Sequence, residues 1–475
     1  MMKPRRAVFL AFFLCFVLSL PAMALAEEAE QDANVAKRKT AAEKAAAKIS
    51  KTAQERAAPE LGEVTFEHVL ARPDDVRLNF EFAKRQVAQN GMLGAAATLE
   101  RILILNPSLD PVRMFYAVVL FRLDNLTEAA RELAALSRRD LPAPIRAEVK
   151  RYQKEIEKRK RRTHLSLRES LGWGFDSNRN AVPSSKERLF GNTRLPVSAN
   201  DRARRDTHFL NITTVDIAQD LPSQAGHQLL GSFTYFLQEQ ALQNALSLSS
   251  YSYELGGIYK TPWFNVTPLF TASHVTLSHE TFLRTQGGSV LVDRDFFNGR
   301  LNVFNLNKLE HQDYVDITEN LAAHERKGNQ YDLKQGMTIG LLPSMSLTAA
   351  LGYTHKRAKL DFNAYDRITL EADHVWIWPK EQFLINGMTV GFDEYDEPDL
   401  AIADRERHDR SFRYSITYGA PLGTLLLPLK KILPGQIKDI TATFTYEYYR
   451  AFSNITNYTY HNNKLQVLFT KRWEF

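Results

Sequence analysis

The chain has 475 residues, a formal net charge of +6 at pH 7, 44% hydrophobic residues and a single cysteine. So mild a charge gives no electrostatic reason to expect nucleic acid as a partner, and one cysteine excludes a disulfide framework within the chain. The length exceeds that of most single soluble domains, so we expect more than one domain.

Residues 1–26 have the composition of a secretory signal peptide. Three basic residues precede an apolar run that is followed by small residues: Lys3, Arg5, Arg6, then 7–20, then 24–26. Cleavage is expected after Ala26, and it would remove Cys15 and lower the net charge from +6 to +3. No later apolar run approaches the roughly 20 residues that a helix needs to cross a bilayer. The sequence therefore predicts export, either to the periplasm, to the medium or into an outer-membrane β-barrel.

Residues 27–60 are dominated by Ala, Lys, Glu, Gln and Arg. They favour helix by propensity but offer almost nothing larger than Ala to bury, so we expect a disordered or loosely helical leader. Such a leader is either a spacer or an interaction arm.

Residues 61–162 show a 34-residue period. Four positions of the first unit recur in the second: Gly91, Ala95, Ala96 and Leu99, then Asn125, Ala129, Ala130 and Leu133. Pro107 recurs as Pro142, and small residues at helix crossings with a proline ending each unit resemble the tetratricopeptide repeat. We predict helices near 78–89, 92–105, 112–123, 126–138 and 143–160. The basic end of the last helix is either a solvated face or a contact with membrane phosphates.

Repeats of this kind form a concave surface that suits an extended peptide or another protein face. The candidate client-binding residues lie on the first helix of each unit: Phe82, Gln86, Tyr116 and Leu120. The alternative is that these side chains only pack the repeats together, and that the domain is a docking platform without a client.

Residues 163–475 alternate apolar and polar side chains, which is the pattern of β-strands with two different faces. We count fourteen strands, near 165–175, 206–219, 228–238, 249–260, 263–277, 286–296, 300–311, 329–341, 345–357, 366–378, 381–391, 409–420, 437–450 and 463–475. Short and long connections alternate between them, as in outer-membrane barrels. The connection 421–436 breaks this rule, because it is long and apolar.

The last predicted strand ends on aromatic residues. Leu465, Val467 and Phe469 alternate with polar residues, and Trp473 and Phe475 follow on the same side. This ending is typical of the strand that closes an outer-membrane barrel, so we interpret Trp473 and Phe475 as an insertion signal. A terminal strand of a soluble β-domain is the alternative.

No catalytic or cofactor-binding constellation is recognisable. Metal-protease, serine-hydrolase and phosphate-loop motifs are missing, so we predict neither an enzyme nor a cofactor. Acidic residues cluster at 393–399 without the EF-hand pattern, and this segment is either a solvated loop or a calcium ligand set.

After the first strand the chain reads GWGFDSNRNAVPSS, with Asp176, Ser177, Asn178 and Asn180 in the turn. Such residues bond their own backbone, which predicts an Asx-type turn. This motif, a short repeat domain and a fourteen-strand barrel together resemble the Slam family, the surface lipoprotein assembly modifiers.

The resemblance implies a translocon that moves client proteins to the cell surface, either lipoproteins or secreted proteins such as haem-scavenging ones. It implies a helical domain in the periplasm, and we expect outer-membrane lipid and the barrel-assembly machinery as further partners. An exopolysaccharide exporter also combines repeats with a barrel, and a passive porin or receptor is the third alternative.

Overall fold

The computed structural model describes residues 65–198, 202–223, 225–426, 437 and 439–475. The predicted signal peptide, the leader and most of the 421–436 connection lie outside these residues. The described chain divides into two compact units, a helical one up to Arg162 and a β-barrel from Thr163 onward.

The helical unit contains six described helices: α1 (Phe66–Ala71), α2 (Val76–Ala88), α3 (Met92–Leu105), α4 (Asp110–Arg122), α5 (Leu126–Ser137) and α6 (Ala143–Lys160). Five of them lie where the sequence predicts them, and α1 is an addition. The repeated positions Ala95, Leu99, Ala129 and Leu133 are completely buried. They pack where α2 meets α3 and α4 meets α5, since small residues let helix backbones approach closely.

The second unit is a closed antiparallel barrel of fourteen strands. Its strands are β1 (Thr163–Asp176), β4 (Asp206–Asp220), β5 (Gln228–Gln240), β6 (Leu248–Lys260), β7 (Asn265–Leu277), β8 (Glu280–Phe296), β9 (Leu301–Tyr314), β10 (Gly328–Leu342), β11 (Met345–Lys356), β12 (Tyr365–Trp378), β13 (Gln382–Tyr395), β14 (His408–Pro421), β15 (Thr441–Ser453) and β16 (Tyr460–Glu474). Each pairs with its neighbours in sequence, and β16 closes the barrel on β1. The predicted fold class is confirmed.

Alternation gives the wall two different faces. On β1, Leu171 and Trp173 point outward with 41% and 60% of their surface exposed, whereas Ser166 and Ser170 point inward and are buried. The same outward exposure of large apolar residues continues around the wall, for example at Leu255, Phe270, Leu309, Leu351, Leu370, Phe444 and Leu465. A closed barrel with an apolar outside leaves no unpaired strand edge in lipid, so this is a barrel of the outer-membrane kind.

None of the described helices is long and apolar enough to cross a membrane.

The strand connections differ between the two ends of the barrel. One end, which we call the loop end, carries the segments 177–205, 241–247, 278–279, 315–327, 357–364, 396–407 and 454–459. The opposite turn end carries short connections and the segment 422–440, of which Leu422–Leu425 forms the short helix α7. The first loop contains a hairpin that the sequence did not reveal, β2 (Glu187–Phe190) with β3 (Thr193–Pro196), because strands of four residues give too little alternation to recognise.

Candidate functional site: the lumen and its cap

Charged side chains line the inner wall and form ion pairs, both within a strand and between strands. Arg367 binds Asp393 through two hydrogen bonds of 2.6 Å each. Lys334 lies 2.7 Å from Glu371, and Lys308 lies 2.6 Å from Glu310. Hydrogen-bonding groups of both charge signs therefore face the lumen, which makes its wall suitable for a hydrated path.

The motif after β1 ties the first strand to the last. Asn462 of β16 donates from Nδ2 to Asp176 Oδ1 (2.8 Å) and accepts from Ser177 Oγ (3.1 Å). The same amide oxygen accepts from the backbone N–H of Asn178 at 2.9 Å. Because the Asn462 side chain forms hydrogen bonds with three consecutive residues, it fixes the direction in which the first loop leaves the wall.

The two asparagines of the motif then fold the loop on itself. Asn178 Oδ1 accepts from the N–H of Val182 (3.0 Å), while its Nδ2 donates to the carbonyl of Val182 (3.1 Å). Asn180 accepts from the N–H of Arg204 and donates to the carbonyl of Arg202, both at 3.0 Å. The bonds of Asn178 are local side-chain-to-backbone bonds, whereas those of Asn180 join the start of the loop to its end, so the geometry accounts for the motif as a structural turn.

A buried histidine beside the motif escaped sequence analysis. His208 of β4 has a fully buried side chain, and its Nδ1 lies 3.4 Å from Asp176 Oδ2. A Cβ added to Gly174 would lie 2.1 Å from His208 Nε2, so glycine is needed there to make room for the ring. Only the two glycines of GWG just before Asp176 hinted at such a close approach.

Apolar side chains from the loops fill the space inside the loop end. Leu246, Ile317 and Ala323 belong to connections between strands, and their side chains pack among inward-facing residues of the wall. That wall segment is apolar and includes Leu210, Ile212, Phe236, Leu248 and Leu283. The loops therefore fold into the barrel there.

A second apolar cluster joins the loops to one another. It contains Leu189 of β2, Ile402, Ala403, Ile455 and Tyr458. We refer to the five packed segments, 177–198, 241–247, 315–327, 396–407 and 454–459, as the cap.

Arg407 is the central polar residue of the cap. Its guanidinium lies 3.4 Å from the ring centroid of Tyr458 and 4.3 Å from that of Tyr395, and its Nε donates to Asp409 Oδ2 at 2.8 Å. Burial raises the pKa of Tyr458, so this phenol stays protonated at neutral pH, and burial lowers the pKa of Arg326 in the same region. One arginine thus connects two loops with β13 and β14.

The loop 315–327 has its own polar staple. The ring Nδ1 of His324 lies 2.8 Å from Asp316 Oδ2, and the backbone N–H of His324 donates to Asp316 Oδ1 at 2.9 Å. Burial alone would raise the pKa of Asp316, but the hydrogen bonds from His324 hold this pKa below its ordinary value. The staple fixes the loop whose Ile317 and Ala323 enter the lumen.

The four predicted client-binding residues do not form one exposed surface. Leu120 and Tyr116 lie in the helical core, with 4% and 9% of their surface exposed. Phe82 is partly buried beside Val69 and Leu78, and Gln86 accepts a hydrogen bond of 3.0 Å from Thr98. For Tyr116 and Leu120 the burial favours packing, the alternative that the sequence left open, while Phe82 and Gln86 stay partly accessible.

The helical unit instead exposes apolar residues that the sequence analysis did not select. Leu93 and Ile104 of α3 are 77% and 73% exposed, and their spacing of eleven residues, three helical turns, places them on one face. Phe66 and Leu70 of α1 are exposed to a similar extent. Exposed apolar residues grouped in this way are a common feature of protein-binding surfaces.

The two predicted insertion residues end the closing strand. Trp473 points outward with 39% exposure and is the Cα partner of Leu167. The N–H of Phe475 donates to the carbonyl of Leu165 at 2.9 Å. Their role as an insertion signal stays a prediction.

The acidic cluster at 393–399 divides between two environments. Asp393 and Glu394 belong to β13, and Asp393 is the partner of Arg367, so only the later members lie in the loop. Among the described residues, no group of three or more His, Cys, Asp or Glu side chains is placed to hold a metal ion.

Among solved structures, the chain is similar to OpdO of Pseudomonas aeruginosa, with 8% identity and a TM-score of 0.31 over 66% of this chain and 97% of that one. It is also similar to the outer membrane protein OpdK of Pseudomonas aeruginosa (9%, TM-score 0.29, 65% and 99%) and to OccAB1 of Acinetobacter baumannii (8%, TM-score 0.33, 66% and 97%). No family model matches the sequence, and no curated protein matches it significantly.

Proposed function

We propose that this protein is an outer-membrane translocon, which binds a client protein on its helical unit and passes it through the barrel when the cap opens. The observation that supports this best is the combination of a polar lumen with a loop end filled by the protein's own loops. In this proposal the helical unit lies in the periplasm and the loop end faces the outside of the cell.

A gated path is the physical requirement for exporting a polymer. A lumen wide enough for a polypeptide would leak small solutes if it stayed open, so it needs a closure that gives way to the client. The cap meets this requirement because side-chain contacts hold it, chiefly those of Arg407, Leu246 and Ile317, together with isolated backbone hydrogen bonds between loops. Those contacts can separate without breaking any pairing between strands.

The helical unit supplies a place for the client to bind. Leu93 and Ile104 offer apolar area on one face of α3, and Phe82 and Gln86 on α2 remain partly accessible. Helix α6 ends at Lys160 and β1 begins at Thr163, so a client held by the helices would have a high effective concentration near the barrel. The resemblance to the Slam family suggests the clients, surface lipoproteins or secreted proteins such as haem-scavenging ones, with the barrel-assembly machinery as a further partner.

The test is to replace Leu93 and Ile104 together by serine and to measure barrel level and surface display of the cognate client in the same cells. We expect display to fall at least tenfold while the barrel keeps its normal amount and its heat-dependent shift in gels. Leu105→Ser is the matched control, because Leu105 is 50% exposed on another side of the same helix and should be neutral. Normal display from the double variant would exclude this face, and display without α1 to α5 would exclude the translocon role of the helical unit.

A channel for small solutes is the second candidate, favoured by the charge pairs on the inner wall such as Arg367 with Asp393. Conductance in planar bilayers separates the two functions. A porin gives a steady open current, whereas the capped translocon stays closed until its cap is loosened. An exopolysaccharide exporter is less favoured, because a charged glycan calls for a lumen of one charge sign and this wall carries both.

A further inference from the structure

The outside of the barrel carries a group of polar residues where lipid would be expected. Glu169 points outward from β1, because it lies in the same alternating set as Leu165 and Leu171, which are 38% and 41% exposed. Its Cα partners are Thr213 on β4 and Lys471 on β16, which therefore also point outward. We call Glu169, Asn211, Thr213 and Lys471 the seam patch, since it covers the junction of the first and last strands.

The seam patch is organised by hydrogen bonds. The carboxylate of Glu169 accepts from Thr213 Oγ1 at 2.6 Å and from the side-chain amide of Asn211. The ammonium group of Lys471 lies 3.5 Å from Asp439 Oδ2, toward the turn end. Glu169 and Lys471 are thus outward-facing Cα partners on two paired strands, with the carboxylate bonded toward β4 and the ammonium group paired with Asp439.

The depth of this patch makes it costly in lipid. Glu169 is the seventh residue of the fourteen in β1, so it lies near the middle of the strand, and Leu165, Leu171 and Trp173 surround it with apolar surface. Charges on the lipid face of a barrel are destabilising, and the cost grows toward the bilayer centre. A protein surface that covers Glu169 and supplies an opposite charge would remove this cost.

We propose that the seam patch is the interface through which two copies of this chain form a dimer in the membrane. Two copies inserted in the same direction are related by a two-fold axis along the membrane normal, and such an axis pairs groups at equal depth. Glu169 and Lys471 are in register, so they lie at nearly the same depth. Glu169 of each copy then meets Lys471 of the other, which makes the patch complementary to itself.

The opposite wall shows why the charges matter. Asn305 of β9 and Gln335 of β10 are Cα partners that also point outward, since they alternate with inward residues such as Lys308 and Lys334. These amides are uncharged, and seven strands separate them from the seam in either direction around the barrel. They offer no pair of opposite charges, so a dimer formed through this wall would not gain the charge pairing that is possible at the seam patch.

Charge reversal tests the dimer. In Glu169→Lys both facing groups are positive, and in Lys471→Glu both are negative, so each variant alone should lose at least tenfold in the dimeric fraction measured in native membranes or nanodiscs. Mixing differently tagged copies of the two variants restores opposite charges across the interface and should restore co-purification. A charge pair within one chain would not be restored by mixing, so this result separates the two explanations.

Two further measurements keep the proposal falsifiable. The barrel content and heat-dependent gel shift of each variant show that it has folded, and Gln335→Lys, which adds a charge to the opposite wall, should leave the dimeric fraction unchanged. Copies with Leu171→Cys should form a disulfide in the membrane with copies carrying Phe469→Cys, because the same axis that brings Glu169 to Lys471 brings these two positions together. Leu351→Cys on β11, which is 54% exposed, should form none. A monomeric native protein, or a different membrane protein cross-linked at position 171, would overturn the proposal.

Discussion

The wall of the barrel and the cap at its loop end are held together by different groups. Each strand of the wall pairs with two neighbours through its backbone, as β1 does with β16 over Ser166–Asp176 and with β4 over Thr163–Asp176. Between its loops the cap has isolated backbone hydrogen bonds, such as the one from Ser184 N–H to the carbonyl of Thr459. It depends otherwise on particular side chains, such as Asn462 under the first loop and Arg407 between two others. We therefore expect the wall to tolerate most single substitutions and the cap to be more sensitive to them.

In the proposed translocon, this difference would give each region the property that its role requires. A membrane wall must stay closed whatever passes through it, and every backbone group in it must find a partner because lipid offers none. A gate has to open, and side-chain contacts can be exchanged for contacts with a client or with water. Substitutions should therefore separate into those that remove the protein from the membrane and those that open it in place.

The largest loss of protein from the membrane is expected from deleting Trp473 to Phe475, because these residues end the strand that closes the barrel. The deletion removes the pairing of Trp473 with Leu167 and the hydrogen bond from Phe475 to Leu165, so the beginning of β1 keeps only its pairing with β4. We expect the amount of heat-modifiable barrel in the outer membrane to fall at least tenfold. Trp173→Leu, which removes an outward tryptophan from β1 but keeps every backbone pair, should be near normal. Normal levels of the truncated protein would contradict the insertion role of these residues.

A smaller effect, confined to the cap, is expected from Arg407→Gln. Arg407 and Asp409 have side-chain exposures of 12% and 8%, and breaking a buried pair by removing one partner costs about 3 kcal/mol. The cap should open more often, which appears as increased conductance and faster proteolysis between residues 396 and 407, while the amount of barrel stays unchanged.

Arg450→Gln is the matched control for this variant. Arg450 also lies over an aromatic ring, at 4.3 Å from the centroid of Phe452, but it is exposed on the outside of the wall. Its replacement should affect neither conductance nor proteolysis. Equal behaviour of the two variants would mean that the cap, like the wall, is insensitive to single side chains.

The smallest effect is a pH dependence of the loop 315–327. The pKa of Asp316 is lower in the folded loop than its unfolded value of about 3.9, so its contribution to stability is present above that pH and is lost as the pH falls through the folded pKa. Hydrogen-exchange protection of this loop should differ between native protein and Asp316→Asn at pH 7. The difference should disappear at a pH below both pKa values, and a difference that persists there would show that the carboxylate charge is not what holds the staple.

Sequence predicted the wall well because each strand repeats the same two-residue alternation. All fourteen strands lie where they were expected, with ends that shift by a few residues, as at β8, which begins at Glu280 rather than near residue 286. The helices were equally accessible to pattern analysis, apart from α1, whose six residues are too few to show a period.

The candidate sites could not be predicted in the same way. Helix α4 is buried on nearly all sides, so nothing in its sequence separates a groove face from a core face, and Tyr116 and Leu120 were assigned to the groove. In the cap, Leu246, Ile317 and Ala323 are isolated residues of separate loops. Only the closure of the barrel brings them together, and no local pattern records that.

The position of Asn462 sets an order of events during folding. This residue belongs to the last strand, yet it holds Asp176, Ser177 and Asn178 at the start of the first loop, 284 or more residues earlier in the chain. The first loop therefore cannot reach its final conformation until β16 has been delivered and docked on β1. A chain that has not yet reached that stage has most of its wall and an incomplete first loop. If the cap is the proposed gate, the step that completes the barrel is also the step that closes the newly made molecule.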